Sequence, residues 1–257
     1  MCHSEYPTVE GIPVLLSKRP EFQSALQIAA AYDSIYRCNT NVWEPLGRDT
    51  KEFVEYFSSL LGQFESKRLL EIGCGEGFLL AALNRGEKFA IDLSAEAIKV
   101  ARTKTQAQFS VALAEGLPYA SEYFDLIVSV GVMEHFLDVN KALREIRRVL
   151  KPGGHYVGLV HVRLTFWERF AVKSSEFFFP RPRPIRFARW LRTKLKSRNR
   201  QGPRVCIKQP IQNKYTTQSG QACFERNGFR VIDVLHTRKD PELPLKGPFV
   251  VIYIDEK

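Results

Sequence analysis

Residues 69–78 read Leu69-Leu-Glu-Ile-Gly-Cys-Gly-Glu-Gly-Phe78, an apolar run that ends in three glycines spaced G-x-G-x-G. A short apolar run of this kind is typical of a buried strand, which we predict at residues 68–72. The glycines let the backbone turn tightly into a helix and approach a ligand closely. The next predicted strand, 88–92, ends in Asp92, 21 positions beyond Glu71. That spacing suits a carboxylate that accepts both hydroxyls of a ribose.

Strand and helix patterns alternate after this stretch. Apolar runs bounded by turn residues predict strands, and apolar residues spaced three or four apart predict helices. Because parallel strands joined by helices are buried on both faces, the alternation favours a parallel sheet covered by helices. The strands predicted after the loop are 88–92, 109–112, 124–130 and 156–161, and the helices are 79–84, 95–104 and 139–150.

The two ends of the chain complete the predicted fold. A helix at 216–227 precedes two strands, 229–235 and 248–254, which suggest an antiparallel closure of the sheet. The fold class is therefore α/β: a Rossmann-like, doubly wound, mostly parallel seven-stranded sheet with an antiparallel last strand. The predicted organisation is a short hairpin at 1–20 and one domain at 21–257, with a helical cap at 21–66 (helices 21–36 and 49–64) and a lid insertion at about 163–213.

The details of the glycine loop narrow the choice of ligand. A dinucleotide fingerprint reads G-x-G-x-x-G, whereas Phe78 stands where its third glycine would be. Glu71 brings an anion to the loop, which is unfavourable beside a pyrophosphate and favourable beside a cation. A ligand with a ribose, an adenine and a cationic amino-acid end fits better. S-adenosylmethionine has all three.

On these residues the chain resembles the class I S-adenosylmethionine-dependent methyltransferases, in particular the small-molecule branch typified by ubiquinone-biosynthesis-like enzymes. The resemblance covers roughly residues 69–162, with a weaker match from Thr216 to the end. The other motifs that carry it are Ala114-Glu-Gly-Leu-Pro-Tyr119, Tyr123-Phe-Asp-Leu-Ile-Val128, Gly131-Val-Met-Glu-His-Phe136 and Leu150-Lys-Pro-Gly-Gly154.

The resemblance implies S-adenosylmethionine as the cofactor and assigns residues to each part of it. Glu71 would help to place the amino-acid end, and Asp92 would bind the ribose. The other implied contacts are Gly73, Cys74 and Gly75 through their backbone, Leu93, Ala114 and Glu115 around the adenine, and Val130 and Gly131 beneath the methionine portion. The family often has Asp before the Ala-Glu pair, where this chain has Leu113, so adenine recognition would rest on backbone groups and Glu115.

Methyl transfer from a sulfonium mainly needs positioning and exclusion of water, but a hydroxyl acceptor makes a general base useful. His135 resembles a position near the acceptor pocket of related enzymes and is the predicted catalytic residue. Helix capping or packing against the sheet is its structural alternative. His161, at the end of the next strand, is a weaker candidate that would face the same opening. A nucleophilic role for Cys74 is not expected.

No metal is predicted. Glu134 and His135 are only two candidate ligands, which do not make a site. Residues 2–16 resemble the closing strands of a small zinc-ribbon module, but only Cys2 remains of the cysteines that such a module would need.

Positive charge is concentrated in residues 163–208, called the basic segment below. It holds fourteen Lys and Arg residues against two acids, a local charge of +12, whereas the whole chain carries +10. Aromatic residues interleave with the cations, and 185–198 has the pattern of a basic amphipathic helix. Three interpretations stay open: a lid over the acceptor pocket, a contact with an anionic membrane, and a nucleic-acid contact. The contiguous aromatic residues favour the membrane over nucleic acid.

The composition is that of a globular protein, with 44% hydrophobic and 26% charged residues, which excludes fibrous and disordered classes. No apolar run approaches the length of about 18 residues that a membrane-spanning helix needs, and no secretory signal is recognised. Five scattered cysteines argue against a disulfide framework. The expected location is the cytoplasm, with peripheral membrane contact through the basic segment as an option.

The expected function is methyl transfer from S-adenosylmethionine to an oxygen, or with less support a nitrogen or carbon, of a small or lipid-linked metabolite. Three alternatives remain: an RNA methyltransferase that uses the basic segment, an NAD(P)-dependent oxidoreductase, and a non-catalytic methyltransferase-like partner protein.

Overall fold

The computed structural model describes residues 6–16, 23–38, 51–163, 210–236 and 250–257. Cys2 and nearly all of the basic segment, with its amphipathic helix, lie outside the described residues, so the predictions made for them stay predictions. Within the described ranges, no helix is long and apolar enough to cross a bilayer. The elements are β1 Thr8–Val9, β2 Ile12–Pro13, α1 Gln23–Cys38, α2 Lys51–Gly62, β3 Arg68–Ile72, α3 Phe78–Ala82, β4 Glu87–Asp92, α4 Ala95–Lys104, β5 Gln108–Val111, β6 Phe124–Val130, α5 Val139–Val149, β7 Leu150–His161, α6 Thr217–Arg226, β8 Arg230–His236 and β9 Val250–Glu256.

A seven-stranded sheet forms the centre of the fold, in the order β5-β4-β3-β6-β7-β9-β8. The strands from β5 to β7 pair in parallel. The last strand, β9, is antiparallel to both of its neighbours, β7 and β8. The predicted fold class is thereby confirmed. The strand order reverses between β3 and β6, so the loops that leave their carboxyl ends diverge and open a crevice for a ligand.

Both faces of the sheet are buried, which explains the continuous apolar run of β3. Successive side chains of a strand point to opposite faces. Leu69 packs in the cluster that contains residues of α1 and α2, whereas Leu70 and Ile72 pack in the cluster that contains residues of α5 and α6. The sheet therefore has a helical layer on each side.

The start of β7 differs from the prediction. The sequence places this strand at 156–161, whereas β7 begins at Leu150. Leu150 pairs with Phe124 of β6, and the next paired residues are His155 and Leu126, so residues 151–154 of β7 form an irregularity between two paired positions. Proline and glycine in this stretch predicted a loop because they are turn residues, but the long-range pairing with β6 extends the strand.

The N-terminal hairpin covers one edge of the sheet. β1 and β2 pair antiparallel, and the residues that follow run along the edge strand β5. Val14 forms a parallel bridge with Val111, and Leu15 N donates to Val111 O at 2.7 Å. These contacts satisfy backbone groups that an edge strand would otherwise present to solvent or to another chain.

Helix α1 is fixed to the start of α4. Asp33 Oδ1 accepts hydrogen bonds from Ser94 Oγ at 2.6 Å and from Glu96 N at 3.2 Å. Arg37 adds an ion pair, with Nη2 3.0 Å from Glu96 Oε1. Since β4 ends at Asp92, two residues before Ser94, these contacts hold α1 beside the carboxyl end of β4.

A buried carboxylate on β9 makes stability depend on pH. Asp255 is fully buried, and neither of its carboxylate oxygens has a hydrogen-bond partner among the described residues. Burial, and secondarily the charge of Glu225, raises the pKa of Asp255 from 3.8 to about 8. The folded state therefore keeps a proton that the unfolded chain releases. The free energy of unfolding should fall as the pH rises from about 4 to about 8.

We expect Asp255→Asn to be more stable than the wild type at about pH 8 and to lose most of this fall, because an amide has no charge to bury. Urea unfolding at about pH 5 and about pH 8 measures both effects. Asp233→Asn is the control, since Asp233 lies exposed on the neighbouring strand β8. An unchanged pH dependence in Asp255→Asn would refute the assignment.

Candidate functional site

A chamber opens at the carboxyl ends of β3, β4 and β6, where the strand order reverses. Its wall comes from the loops that follow β3, β4, β5 and β6 and from helices α1 and α2. The residues predicted to bind the cofactor and the first catalytic candidate, His135, all line this chamber: Glu71, Gly73, Cys74, Gly75, Asp92, Leu93, Ala114, Glu115, Val130, Gly131 and His135. The fold thus gathers residues that are as far as 64 positions apart, from Glu71 to His135.

The glycine loop is held against β4 by its backbone. Gly73 N and Cys74 N both donate to Ile91 O, at 2.8 and 3.1 Å. Gly73 has a φ of 68°, and a Cβ on it would lie 2.5 Å from Cγ2 of Val132, so both the conformation and the space require glycine. Burial raises the pKa of the Cys74 thiol well above its usual range, which keeps the thiol protonated and unreactive.

Asp92 joins the glycine loop to the end of β4. Its Oδ2 accepts from Gly75 N at 2.8 Å, and its Oδ1 accepts from Ser94 N at 2.9 Å. Burial raises the pKa of Asp92 from 3.8 to about 6, although the two N–H donors oppose that rise. The side chain is therefore mostly ionised at neutral pH. Each oxygen of a carboxylate has further acceptor capacity, which is what the two hydroxyls of a ribose require.

Glu71 is buried in the chamber wall, and one of its carboxylate oxygens lacks a hydrogen-bond partner among the described residues. The residue is 3% exposed, and its Oε2 has no hydrogen-bond partner among the described residues. Burial, and then the charge of Asp92, raises the pKa of Glu71 well above its usual range. An orphaned buried carboxylate oxygen is costly unless a donor or a cation meets it. The ammonium group of S-adenosylmethionine has the required chemistry, so the residues present fit this cofactor.

The wall predicted for the adenine contains Leu93, Leu113, Ala114 and Glu115. The carboxylate of Glu115 is engaged within the protein, where Oε1 accepts from Leu137 N at 2.7 Å and from Asp138 N at 3.2 Å. Glu115 therefore ties this wall to the loop that precedes α5. Its contact with an adenine stays a prediction.

Aromatic residues of the helical cap also line the chamber, and the sequence did not single them out as site residues. They are Tyr32 and Tyr36 of α1 and Phe53 of α2. The i, i+4 spacing of Tyr32 and Tyr36 puts them on one face of α1. The sequence contains this spacing, but the spacing alone does not indicate which part of the protein this face of α1 packs against.

His135 lies in the chamber wall and also anchors a second segment. Its Nδ1 is 2.5 Å from the carbonyl oxygen of Ile211. Nearby, Asn213 N donates to Glu134 O at 2.6 Å, and Asn213 Nδ2 donates to Phe136 O at 2.8 Å. A carbonyl can only accept, so Nδ1 of His135 carries the proton of this contact. The catalytic role of His135 stays a prediction.

His161 ends β7, where its Nδ1 contacts Oε1 of Glu134. The sequence placed His161 at the same opening, but the chamber wall as described does not include it. Across the described parts of the chain, no group of three or more His, Cys, Asp or Glu residues is arranged to hold a metal ion.

The match with a known family coincides with this chamber. Residues 70–158 match the methyltransferase domain family. The matched segment runs from the glycine loop to β7 and so includes every residue of the predicted cofactor site. Over these residues the chain is similar to methyltransferase domains. The zinc-ribbon resemblance of the N-terminus gains no support from this match.

Curated relatives match the chain over limited lengths. An uncharacterized protein of Methanocaldococcus jannaschii is 40% identical over 90 residues, 35% of each chain. The ubiquinone biosynthesis O-methyltransferase of Alkalilimnicola ehrlichii is 30% identical over 48% of this chain and 53% of its own. The ubiquinone/menaquinone biosynthesis C-methyltransferase of Pectobacterium carotovorum is 34% identical over 38% of this chain and 44% of its own. The chain thus spans about half or less of the length of these relatives.

Solved structures share the fold over most of the chain. An S-adenosylmethionine-dependent methyltransferase of Thermotoga maritima superimposes with a TM-score of 0.57, at 21% identity, over 90% of this chain and 99% of its own. One from Mesorhizobium loti gives a TM-score of 0.53, at 18% identity, over 81% and 99%. At these identities the likeness concerns the fold.

Proposed function

We propose that this protein transfers the methyl group of S-adenosylmethionine to a small or lipid-linked metabolite. The observation that carries the proposal is the orphaned Oε2 of Glu71, which lies in one chamber with Asp92 and the glycine loop. Glu71 provides a buried carboxylate for a cation, and Asp92 provides an acceptor for ribose hydroxyls. Together they match a nucleoside that carries a cation at its other end. The match of residues 70–158 to the methyltransferase domain family supports the same cofactor.

Each part of the chamber has a role in this proposal. Glu71 would accept hydrogen bonds from the ammonium group, and the carboxylate of Asp92 would accept them from the ribose hydroxyls. The backbone of residues 73–75 would lie along the cofactor, which the absence of a Cβ at Gly73 and Gly75 permits. S-adenosylmethionine supplies a methyl group that the positive sulfur already activates. The protein contributes alignment and exclusion of water.

The acceptor side of the chamber is proposed to be aromatic and apolar. Tyr32, Tyr36 and Phe53 line the chamber from the helical cap, which supports this assignment. Two of the relatives are named for ubiquinone biosynthesis, and another, from Mycobacterium leprae, for methylation of phthiotriol dimycocerosates. These names support an acceptor of the small-molecule or lipid-linked class.

The other functions considered have less support. A dinucleotide would bring its pyrophosphate to the loop beside Glu71, where repulsion disfavours it. A contact with RNA or with an anionic membrane depends on the basic segment, nearly all of which lies outside the described residues. Those partners and the cytoplasmic location stay predictions.

Transfer of labelled methyl groups tests the proposed function. The protein is incubated with a cell extract and methyl-labelled S-adenosylmethionine, and the products are partitioned between an organic and an aqueous phase. We expect protein-dependent label in a small molecule, with the organic phase indicating a lipid-linked or quinone-like acceptor. Label in the aqueous phase that nuclease treatment releases would indicate an RNA methyltransferase. No transfer by a protein that binds S-adenosylhomocysteine would favour the non-catalytic alternative.

Binding of S-adenosylhomocysteine is expected to release protons from Glu71 at pH values near its raised pKa. Burial, and then the charge of Asp92, raises the pKa of Glu71 well above its usual range, so the free protein holds the proton to a higher pH than an exposed glutamate does. The ammonium group of the ligand favours the ionised carboxylate and lowers this pKa. Affinity should therefore increase as the pH rises towards the raised pKa of Glu71.

Calorimetry in buffers of different ionisation enthalpy counts the released protons. We expect Glu71→Gln to release fewer protons than the wild type at pH values near the raised pKa of Glu71, and to bind about 10-fold more weakly, because a neutral amide replaces a charged acceptor. Glu65→Gln, at an exposed glutamate before β3, is the control. Equal proton release by the wild type and Glu71→Gln would count against this role.

A further inference from the structure

The N-terminal segment, residues 6–16, is attached to the edge strand β5 as an added strand. Leu15 N donates to Val111 O at 2.7 Å, and Val14 forms a parallel bridge with Val111. Val14 N donates to Pro7 O at 2.8 Å, so the two arms of the hairpin are also joined to each other. Backbone hydrogen bonds of this kind fix the position of both partners along the sheet edge.

Side chains of this segment belong to both hydrophobic clusters that flank the sheet. Ile12 is 1% exposed and Leu16 is 5% exposed, and both pack in the cluster that contains Leu113. Leu15 packs against the other cluster, which contains Ala114. Burying apolar side chains of this size stabilises the attached state of the segment. Because Leu113 and Ala114 line the chamber, the same clusters connect the segment to the chamber wall.

The tip of the hairpin is fixed to helix α4. Lys99 Nζ lies 2.7 Å from Glu10 Oε1, and Arg102 Nη1 donates to Glu10 O at 2.8 Å. Since ion pairs at the surface contribute little stability, the buried contacts of Ile12 and Leu16 are the main ones that hold the segment in place. The segment therefore connects α4 to the edge strand β5.

Strand β5 ends where the predicted adenine wall begins. Its last residue is Val111, and residues 112–115 all line the chamber. On one side, β5 pairs with β4, and Ala112 N donates to Asp92 O at 3.2 Å. On the other side, within the described part of the chain, β5 meets the N-terminal segment. The position of the adenine wall therefore depends on both neighbours of β5.

We propose that the N-terminal segment is a positioning element of the cofactor site, which holds residues 112–115 in the conformation that binds the adenine base. The inference rests on the proposed function and deepens it by assigning part of base recognition to a segment outside the chamber. None of the described residues of this segment lines the chamber, so it acts through β5. Leu15 and Leu16 are its positioning residues, the first through its backbone and the second through its buried side chain.

Thermodynamic linkage makes this role measurable in both directions. If attachment of the segment increases the affinity for a ligand by a given factor, the ligand favours the attached state by the same factor. A ligand without a base gains nothing from the adenine wall. S-ribosylhomocysteine is such a ligand, since it keeps the ribose and the homocysteine of S-adenosylhomocysteine but lacks the adenine. The difference in affinity between the two ligands therefore isolates the base contact.

Leu15→Pro removes the N–H group that donates to Val111 O and keeps an apolar side chain. We expect calorimetry to show at least about 10-fold weaker binding of S-adenosylhomocysteine, because the adenine wall loses one of its supports. The affinity for S-ribosylhomocysteine should stay within about twofold of the wild-type value. An equal loss for both ligands would mean general destabilisation and would overturn the proposal, as would an unchanged affinity for S-adenosylhomocysteine.

A second pair of variants tests the buried side of the segment with a matched control. Leu16→Asn places an amide in the core, where Leu16 is 5% exposed, whereas Val9→Asn places the same amide on the same hairpin, where Val9 is 38% exposed. We expect Leu16→Asn to repeat the base-dependent loss and Val9→Asn to bind both ligands as the wild type does. Circular dichroism checks that each variant is folded at the assay temperature. Loss of affinity in Val9→Asn, or none in Leu16→Asn, would overturn the proposal.

Hydrogen exchange of the wild-type protein tests the linkage without any variant. Saturating S-adenosylhomocysteine should slow exchange of the Leu15 amide by about 10-fold or more, because the ligand favours the attached segment. Amides of β8, at the opposite edge of the sheet, should keep their rates. An unchanged rate at Leu15 with the ligand bound, or equal slowing in β8, would overturn this inference alone. Wild-type protein that does not bind S-adenosylhomocysteine would overturn the proposed function and this inference with it.

Discussion

Replacing Asp92 by alanine is expected to weaken the binding of S-adenosylhomocysteine by at least about 100-fold. The variant loses a buried carboxylate that would accept both ribose hydroxyls, and each hydrogen bond to a charged group contributes about 1.5–3 kcal/mol. It also frees Gly75 N and Ser94 N, which Asp92 holds at 2.8 and 2.9 Å. Isothermal titration calorimetry measures the affinity, and Asp92→Asn, which keeps the shape of the side chain, should fall between the alanine variant and the wild type.

Asp125→Ala provides a matched control for this loss. Asp125 also accepts two backbone N–H groups, from Lys67 and Arg68 at 2.9 and 2.8 Å, but at the opposite end of the sheet. We expect this variant to be less stable than the wild type and to bind S-adenosylhomocysteine with unchanged affinity. Wild-type affinity in Asp92→Ala would show that the ligand does not use this carboxylate.

Gly73→Ala should also abolish detectable binding of S-adenosylhomocysteine. The new Cβ would lie 2.5 Å from Cγ2 of Val132, and the residue has a φ of 68°, which L side chains rarely adopt. Both conflicts are relieved only if the loop leaves Ile91, whose carbonyl holds Gly73 N and Cys74 N. A displaced loop loses the backbone groups that would lie along the cofactor. Calorimetry reports binding, and thermal unfolding reports the accompanying loss of stability.

The control for Gly73→Ala distinguishes the cost of the backbone conformation from the steric conflict within the chamber. Gly153 has a similar φ of 72°, but a Cβ there meets no atom within 4 Å. Gly153→Ala should therefore lose roughly 1 kcal/mol of stability through its backbone conformation and keep the wild-type affinity. If both variants lost affinity equally, the effect would come from general destabilisation and not from the chamber.

Local patterns predicted much of the sheet and many of the residues that line the chamber. The strand Phe124–Val130 and the helix Ala95–Lys104 have the predicted bounds. Both are marked by strong local signals: a continuous apolar run in the strand, and Ser94 at the start of the helix, where its side chain accepts from Ala97 N. The glycine loop and Asp92 were predicted in the same way, because the residue pattern of a backbone turn or of a strand end lies within a few residues of the chain.

The remaining features depend on contacts between distant parts of the chain. Tyr32 lines the chamber because Asp33, next to it on α1, is bound to Ser94, 61 positions away. His161 meets Glu134, 27 positions earlier, because β6 and β7 are neighbours in the sheet. A residue pattern within one helix or strand does not specify the partner of that element. Such pairs therefore became visible only in the folded chain.

A structure of the protein in complex with S-adenosylhomocysteine would show whether the chamber binds this ligand. We expect the ligand to occupy the chamber, with its ribose hydroxyls on the carboxylate of Asp92 and its ammonium group on Oε2 of Glu71. The adenine should lie beside Leu93, and the sulfur near Val130. A ligand bound elsewhere, or a chamber that stays empty at saturating ligand, would contradict it.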